Sequence, residues 1–188
     1  VSADRLAELR SVLLDPAEAA AMDAHGRTEA AVLVPMLGAE PDPAIVFTER
    51  RHDLRRHAGE ISFPGGRRDA PDEGLLATAL REANEEIGLD PGDVEVVGAL
   101  PPIGTFVTNY KVHPFVGVIS DPPELDPNPG EVAAVLRFRV SQLRDGFAMR
   151  RLVRMGVPIR TPTYELGGHL IWGATARILS ELLQRVDA

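Results

Sequence analysis

Glu82, Glu85 and Glu86 are three carboxylates within five positions, in the stretch REANEE. On an α-helix they stand at i, i+3 and i+4, which turns them toward one face. Like charges that close destabilise an isolated helix unless something neutralises them, and a divalent cation does so economically. Hard oxygen donors suit Mg2+ or Mn2+. Arg81 can pair with Glu85 one turn on, or with Asp72 or Glu73 at the start of the helix. Upstream, Gly65 and Gly66 form a turn in which backbone can approach a metal or a phosphate without side chains in the way. Taken alone, REANEE also fits an ordinary solvated helix face. The surrounding frame decides against that: a Gly-Gly turn before the helix, an acidic pair at its start and Gly88 at its end.

Six arginines (Arg50, Arg51, Arg55, Arg56, Arg67 and Arg68) and two histidines fall between positions 50 and 68. The chain is acidic overall, with 20 basic against 28 acidic residues and a net charge of -8. A positive segment beside an acidic helix suits a polyanionic ligand held together with a metal. The plainer alternative is a basic loop that balances the helix. His52 and His57 read as polar surface residues. Trp172, the only tryptophan, reads as packing between the last helix and the sheet, with stacking on an adenine as the alternative. Phe106 and Tyr110 border either a pocket or the edge of the core.

The elements that must position these groups are legible from periodicity. Leu6, Leu9, Val12 and Leu13 recur at helical intervals until Pro16. Segments 30–37 and 44–49 read as strands joined by a loop, and ISFPGG as a short strand running into the glycine turn. Residues 72–88 read as a helix with Leu76, Leu80, Ala83 and Ile87 on its apolar face, stopped by Gly88. Strands follow at 94–103, 110–119 and 133–140, then a short helix at 141–145 and one or two strands over 149–166. The last helix turns Ile178, Leu179, Leu182, Leu183 and Val186 inward. The irregular order of strands and helices predicts a mixed α+β fold. We expect an N-terminal helical segment over residues 1–27 and one domain over 28–188.

Composition narrows the function. A chain of 188 residues, 44% of them hydrophobic, can bury a sizeable core. With no cysteine, disulfides, thiolate metal sites and thiol nucleophiles are excluded. The acidic balance argues against a nucleic-acid-gripping surface. No run approaches a membrane span and the N-terminus lacks a secretory profile, so the expected location is the cytoplasm.

The stretch from Gly66 to Leu89 resembles the Nudix box. Gly66 matches its leading glycine, and Arg81, Glu82, Glu85, Glu86 and Gly88 match its arginine, glutamates and closing glycine. One residue is inserted in the loop, so Asp72 keeps the spacing from Gly66 while Glu73 keeps the spacing to Arg81. Ala83 is a weak occupant of an apolar position. Upstream, Thr48, Arg50, Arg55, Gly59 and Phe63-Pro64-Gly65-Gly66 resemble an element of the Nudix subfamily that cleaves coenzyme A. Arg51 there stands in a small-residue position. The extra loop residue is typical of that subfamily. NYKVHPFVG (109–117), GEVAAVLRF (130–138) and IWGATARIL (171–179) are similar to the same proteins.

The resemblance implies a Nudix α/β/α sandwich around a mixed sheet. It also implies Mg2+- or Mn2+-dependent hydrolysis of coenzyme A, and of acyl- or oxidised forms, to 3′,5′-ADP and 4′-phosphopantetheine by water attack on a metal-bound phosphate. Glu82, Glu85 and Glu86, with the carbonyl of Gly66, would hold the metal. Arg81, Glu82 and Glu85 would make up the catalytic set. A pyrophosphate is a stable anionic linkage whose hydrolysis needs charge neutralisation more than covalent help, and a metal lowers the pKa of the attacking water. Glu82 and Glu85 are the candidates for the base, with Glu131 a third by loop position. Arg50, Arg55, Arg56, Arg67 and Arg68 would meet the substrate, whose 3′-phosphate asks for more cations than ADP-ribose does. The other readings are a Nudix hydrolase for another nucleotide such as ADP-ribose or NADH, and a non-catalytic nucleotide-binding module. A small-molecule substrate, no nucleic acid, no membrane and a possible homodimer complete the expectations.

Overall fold

The computed structural model describes residues 2–38, 42–53, 59–105, 108–154 and 157–186, the side chains of 154 and 157 excepted. Arg55, Arg56, His57 and Phe106 lie outside the described residues. The chain runs α1 (Ala3–Val12), α2 (Pro16–Ala21), β1 (Thr28–Leu37), β2 (Ala44–Arg50), β3 (Ile61–Ser62), β4 (Gly65–Arg67) and α3 (Leu75–Ile87). There follow β5 (Glu95–Ala99), β6 (Ile103–Gly104), β7 (Tyr110–Ile119), β8 (Val132–Arg139), α4 (Val140–Asp145), β9 (Phe147–Arg154), β10 (Val157–Leu166), β11 (His169–Ile171) and α5 (Gly173–Val186).

β1 and β7 pair in parallel over ten residues, and the other pairs of the main sheet are antiparallel. The sheet is therefore mixed. Two cores flank it. One joins Val34, Phe47 and Val116 to Leu179 and Leu182 of α5 and to Leu9 of α1. The other joins Ala31, Leu33 and Phe115 to Leu75, Ala79, Ala83 and Ile87 of α3. A small antiparallel sheet, β9–β10–β11, leans on α5 through Tyr164, whose hydroxyl meets Ser180 at 2.8 Å. Helices thus cover both faces of a mixed sheet, in an α+β, α/β/α arrangement. The N-terminal helix caps this structure, with Leu9 only 2% exposed.

The division between β1 and β2 creates the site. The two strands pair only at Met36–Ile45 and Leu37–Ala44, and then separate. β3 fills the gap from the β2 side and β4 from the β1 side. Phe63 and Pro64 bridge them, Phe63 stacked on Phe47 at 4.8 Å and the Pro64 carbonyl accepting from Leu33 at 2.9 Å. Proline suits this crossing because it has no N–H to leave unpaired.

Some expectations are corrected. α3 begins at Leu75, not Asp72, because residues 69–72 form a turn closed by the Asp72 N–H on the Asp69 carbonyl. Its most deeply buried stripe is Leu75, Ala79, Ala83 and Ile87, with Leu76 and Leu80 at its margin. The 94–103 strand is broken after Ala99, ahead of Pro101-Pro102, into β5 and β6. The glycine turn is itself the short strand β4.

Candidate functional site

The site lies where α3 passes the split in the sheet. Gly66 pairs with Ala31, placing it on the α3 side. A Cβ on Gly66 would lie 2.4 Å from Glu82 Cδ and from Oε1. Only a glycine lets the Glu82 carboxylate rest against this backbone. At Gly65 a Cβ would meet the Ala31 carbonyl at 2.4 Å and Val32 Cα at 2.6 Å. The two adjacent glycines therefore serve different purposes, one making room for a carboxylate and the other for a neighbouring strand.

The three glutamates differ sharply in environment. Glu86 is 9% exposed, and its Oε2 is buried without a hydrogen-bond partner among the described residues. Burial pushes its carboxyl up to about 8, reinforced by the charges of Glu82 and Glu131 and opposed by the Gly65 N–H and Arg50. Glu82 is pushed up by burial and drawn back by Arg81 at 3.0 Å. Glu85 is 57% exposed and meets Arg81 at 2.9 Å. Among the described residues no three acidic or histidine side chains form a complete cation cage; Glu85 instead turns aside to Arg81.

Arg81 is the organising cation. Its Nε donates to Asp72 Oδ1 at 2.9 Å and its Nη2 to Asp72 Oδ2 at 3.1 Å, a bidentate pair, and Nη2 also reaches the Arg67 carbonyl at 3.3 Å. Asp72, 6% exposed at its side chain, accepts further from Thr78 Oγ1 at 2.8 Å and the Asp69 N–H at 3.0 Å. These donors, Arg81 foremost, hold its carboxyl well below the usual range. Of the two acids left open by the inserted residue, Asp72 takes the arginine, while Glu73 is exposed. Arg81 thus ties the glycine strand, the inserted loop and the helix into one rigid frame.

A second approach comes from the loop before β8. The Glu86 carbonyl accepts from the Asn128 N–H at 2.9 Å, and Glu131 N–H donates to the Asn128 carbonyl at 3.1 Å. Arg50 reaches Glu131 at 3.5 Å, while its Nε is buried without a partner among the described residues. Glu131, singled out only by loop position, acts electrostatically on both Glu82 and Glu86. Arg67 and Arg68 lie on the other side of Gly66, in a separate cleft. Sequence reasoning missed Glu49, which meets His52 at 3.2 Å and His169 at 3.9 Å; no spacing pattern signals it. Trp172 is half-buried and lines a cavity of about 200 Å3 with Glu60, Ser62, Thr105 and Thr161, so it faces an opening as well as the core.

The donor set fits a divalent cation. Among the described residues Glu86 presents an unpartnered buried oxygen, Glu82 lies half-buried beside it, and Gly66 leaves backbone at the same spot. Carboxylate and carbonyl oxygens are the ligands Mg2+ and Mn2+ prefer.

The NUDIX domain family profile matches residues 27–155. The chain belongs to the Nudix family and is a Nudix hydrolase. It is homologous to the uncharacterized Nudix hydrolases NudL. With that of Pectobacterium atrosepticum it shares 35% identity over 168 residues, 87% of this chain and 85% of the relative. With that of Salmonella newport it shares 40% over 162 residues, 84% and 82% of the two chains. The fold is also that of the Nudix hydrolase RenU from M. smegmatis, with a TM-score of 0.53 at 20% identity over 66% of this chain and 76% of that one. No helix among the described residues is long and apolar enough to cross a membrane.

Proposed function

We propose that this Nudix hydrolase cleaves the pyrophosphate of coenzyme A, and of acyl- or oxidised forms, to 3′,5′-ADP and 4′-phosphopantetheine. The observation that carries the reading is the cation-fitted pair Glu82–Glu86 at Gly66, flanked by Arg50 on one side and Arg67 and Arg68 on the other. A substrate with a phosphate besides its pyrophosphate calls for cations on both sides of the cleavage point. Residues 28–188 would form the catalytic domain, with 1–27 a helical cap, acting in the cytoplasm.

Glu82, Glu86 and the Gly66 carbonyl would hold Mg2+ or Mn2+, with Glu85 joining them by releasing Arg81. The metal, when bound, neutralises the diphosphate and acidifies the attacking water. Water oxygen bonds to phosphorus as the bridging P–O bond breaks, and the bridging oxygen leaves on the other phosphate. One water proton passes to a glutamate. Glu82 and Glu85 are the candidate bases on the helix and Glu131 on the facing loop. Arg81, held by Asp72, positions Glu82, and Arg50 faces the anionic substrate.

A product assay tests this with coenzyme A, dephospho-coenzyme A, ADP-ribose and NADH, each with Mg2+, Mn2+ or EDTA. Metal-dependent release of 3′,5′-ADP, fastest from coenzyme A, is expected. Faster cleavage of ADP-ribose or NADH would overturn the substrate and leave the chemistry.

A further inference from the structure

A cleft of about 530 Å3 lies beside the catalytic frame, and Arg27, Arg67, Arg68 and Lys111 line it with Glu29 and Asp69. We propose that this cleft seats a phosphomonoester of the nucleotide substrate, the phosphate that is not cleaved. The inference deepens the reading above and rests on it for the identity of the carrier.

Backbone register assembles the cleft from distant sequence. β1 and β7 begin together, Thr28 opposite Tyr110 and Glu29 opposite Lys111. The Asn109 carbonyl accepts from both Arg27 at 3.0 Å and Thr28 at 3.2 Å. Gly26 lets the chain pass against Tyr110, where a Cβ would come within 2.5 Å of backbone carbon. Arg27 and Lys111 are thereby locked at one end of the sheet. Arg68 joins them because its N–H donates to the Glu29 carbonyl at 3.0 Å. Arg67 and Arg68 follow Gly66 directly, so at strand rise they stand roughly 3 and 7 Å beyond it along the chain. That is the span of a sugar ring between a cleaved diphosphate and a second phosphate.

The charges are available. Arg68 pairs with Glu29 at 3.0 Å, both about half-exposed, and Arg67 only reaches Asp69 at 4.0 Å. Lys111 holds Asp23 at 2.5 Å. Arg27 is exposed and makes no ion pair among the described residues. Four cations against Glu29, Asp69 and Asp23 leave the cleft positive in a chain of net charge -8. Exposed pairs of this kind are weak and rearrange readily around a dianion, with which arginine forms bidentate contacts. The Arg81–Arg67 carbonyl bond couples the cleft to the catalytic helix.

Lys111 is the chain's only lysine, so its acylation rate reports occupancy without any turnover. The wild-type protein in EDTA would be treated with an amine-acylating ester, and the Lys111 peptide followed by mass spectrometry. We expect 3′,5′-ADP to slow labelling at least five-fold and 5′-AMP to leave it nearly unchanged. No protection by 3′,5′-ADP, or equal protection by 5′-AMP or inorganic phosphate, overturns the proposal. In the second arm, Arg27→Gln and Lys111→Met each lower the ratio of kcat/KM for coenzyme A to that for dephospho-coenzyme A at least ten-fold. Where the wild type prefers coenzyme A, an unchanged ratio in both variants also overturns it. Failure of the substrate reading looks different: the wild type would show no preference for coenzyme A, while the labelling result would still stand.

Discussion

Replacing Gly66 with alanine separates site geometry from stability. The added methyl would start 2.4 Å from Glu82 Cδ and Oε1, where ordinary contact begins near 3.4 Å. The carboxylate must therefore withdraw by about 1 Å. The obstacle is the end of a flexible side chain and the Gly66 backbone is not left-handed, so the fold absorbs the change. A shift of about 1 Å in a reacting group lowers rates by roughly 100-fold, about 2.7 kcal/mol of transition-state stabilisation. The assay is kcat/KM for pyrophosphate hydrolysis at saturating Mg2+, alongside thermal unfolding. We expect a loss near 100-fold with Tm within a few degrees of wild type. Gly65→Ala provides the contrast, because its methyl meets Ala31 and Val32 backbone; it should cost on the order of 1–3 kcal/mol of stability. Near-wild-type turnover in Gly66→Ala, or unfolding in place of inactivity, would refute the assignment of Gly66 as the seat of the Glu82 carboxylate.

Three further outcomes are expected. Asp72→Asn weakens a half-buried bidentate pair and should lower stability by roughly 1–2 kcal/mol and turnover with it, while Glu73→Gln leaves both within error; denaturant titration and kinetics of the two variants check this. For Glu86 the folded carboxyl sits at about 8, above the unfolded 4.5, so the metal-free protein gains stability as pH falls from 8 toward 4.5. Glu86→Gln should flatten that rise, erase the Mg2+-induced increase in Tm and abolish turnover, and a persisting Mg2+ shift would contradict the ligand role. His113 is buried and its imidazole is pushed below 6.5 by burial. The unfolded state therefore takes up the proton first, and stability falls as pH drops below about 6.5. His113→Gln should weaken that fall, as read by Tm between pH 7.5 and 5.5.

The chemistry-bearing helix follows from local sequence alone. The i, i+3, i+4 spacing of Glu82, Glu85 and Glu86, the paired glycines before it and Gly88 after it are local properties. Helical geometry and glycine sterics act over a few residues, so they survive being read in one dimension. The α+β class was legible for the same reason, from apolar periodicity.

Differences among chemically identical residues were decided by tertiary structure. Three glutamates on one helix become one buried, one half-buried and one exposed, because the sheet lies against only part of the helix surface. Whether Asp72 or Glu73 receives Arg81 depends on how the inserted residue folds its loop, and the 69–72 turn aims Asp72 inward. Glu131 reaches Arg50 and acts on Glu86 because the Asn128 N–H hooks its loop to the end of α3, a contact spanning some forty residues. Arg27 and Lys111 are 84 positions apart and meet only because β1 and β7 pair in parallel. Desolvation and charge proximity depend on distances across the fold, and neither is encoded by spacing along the chain.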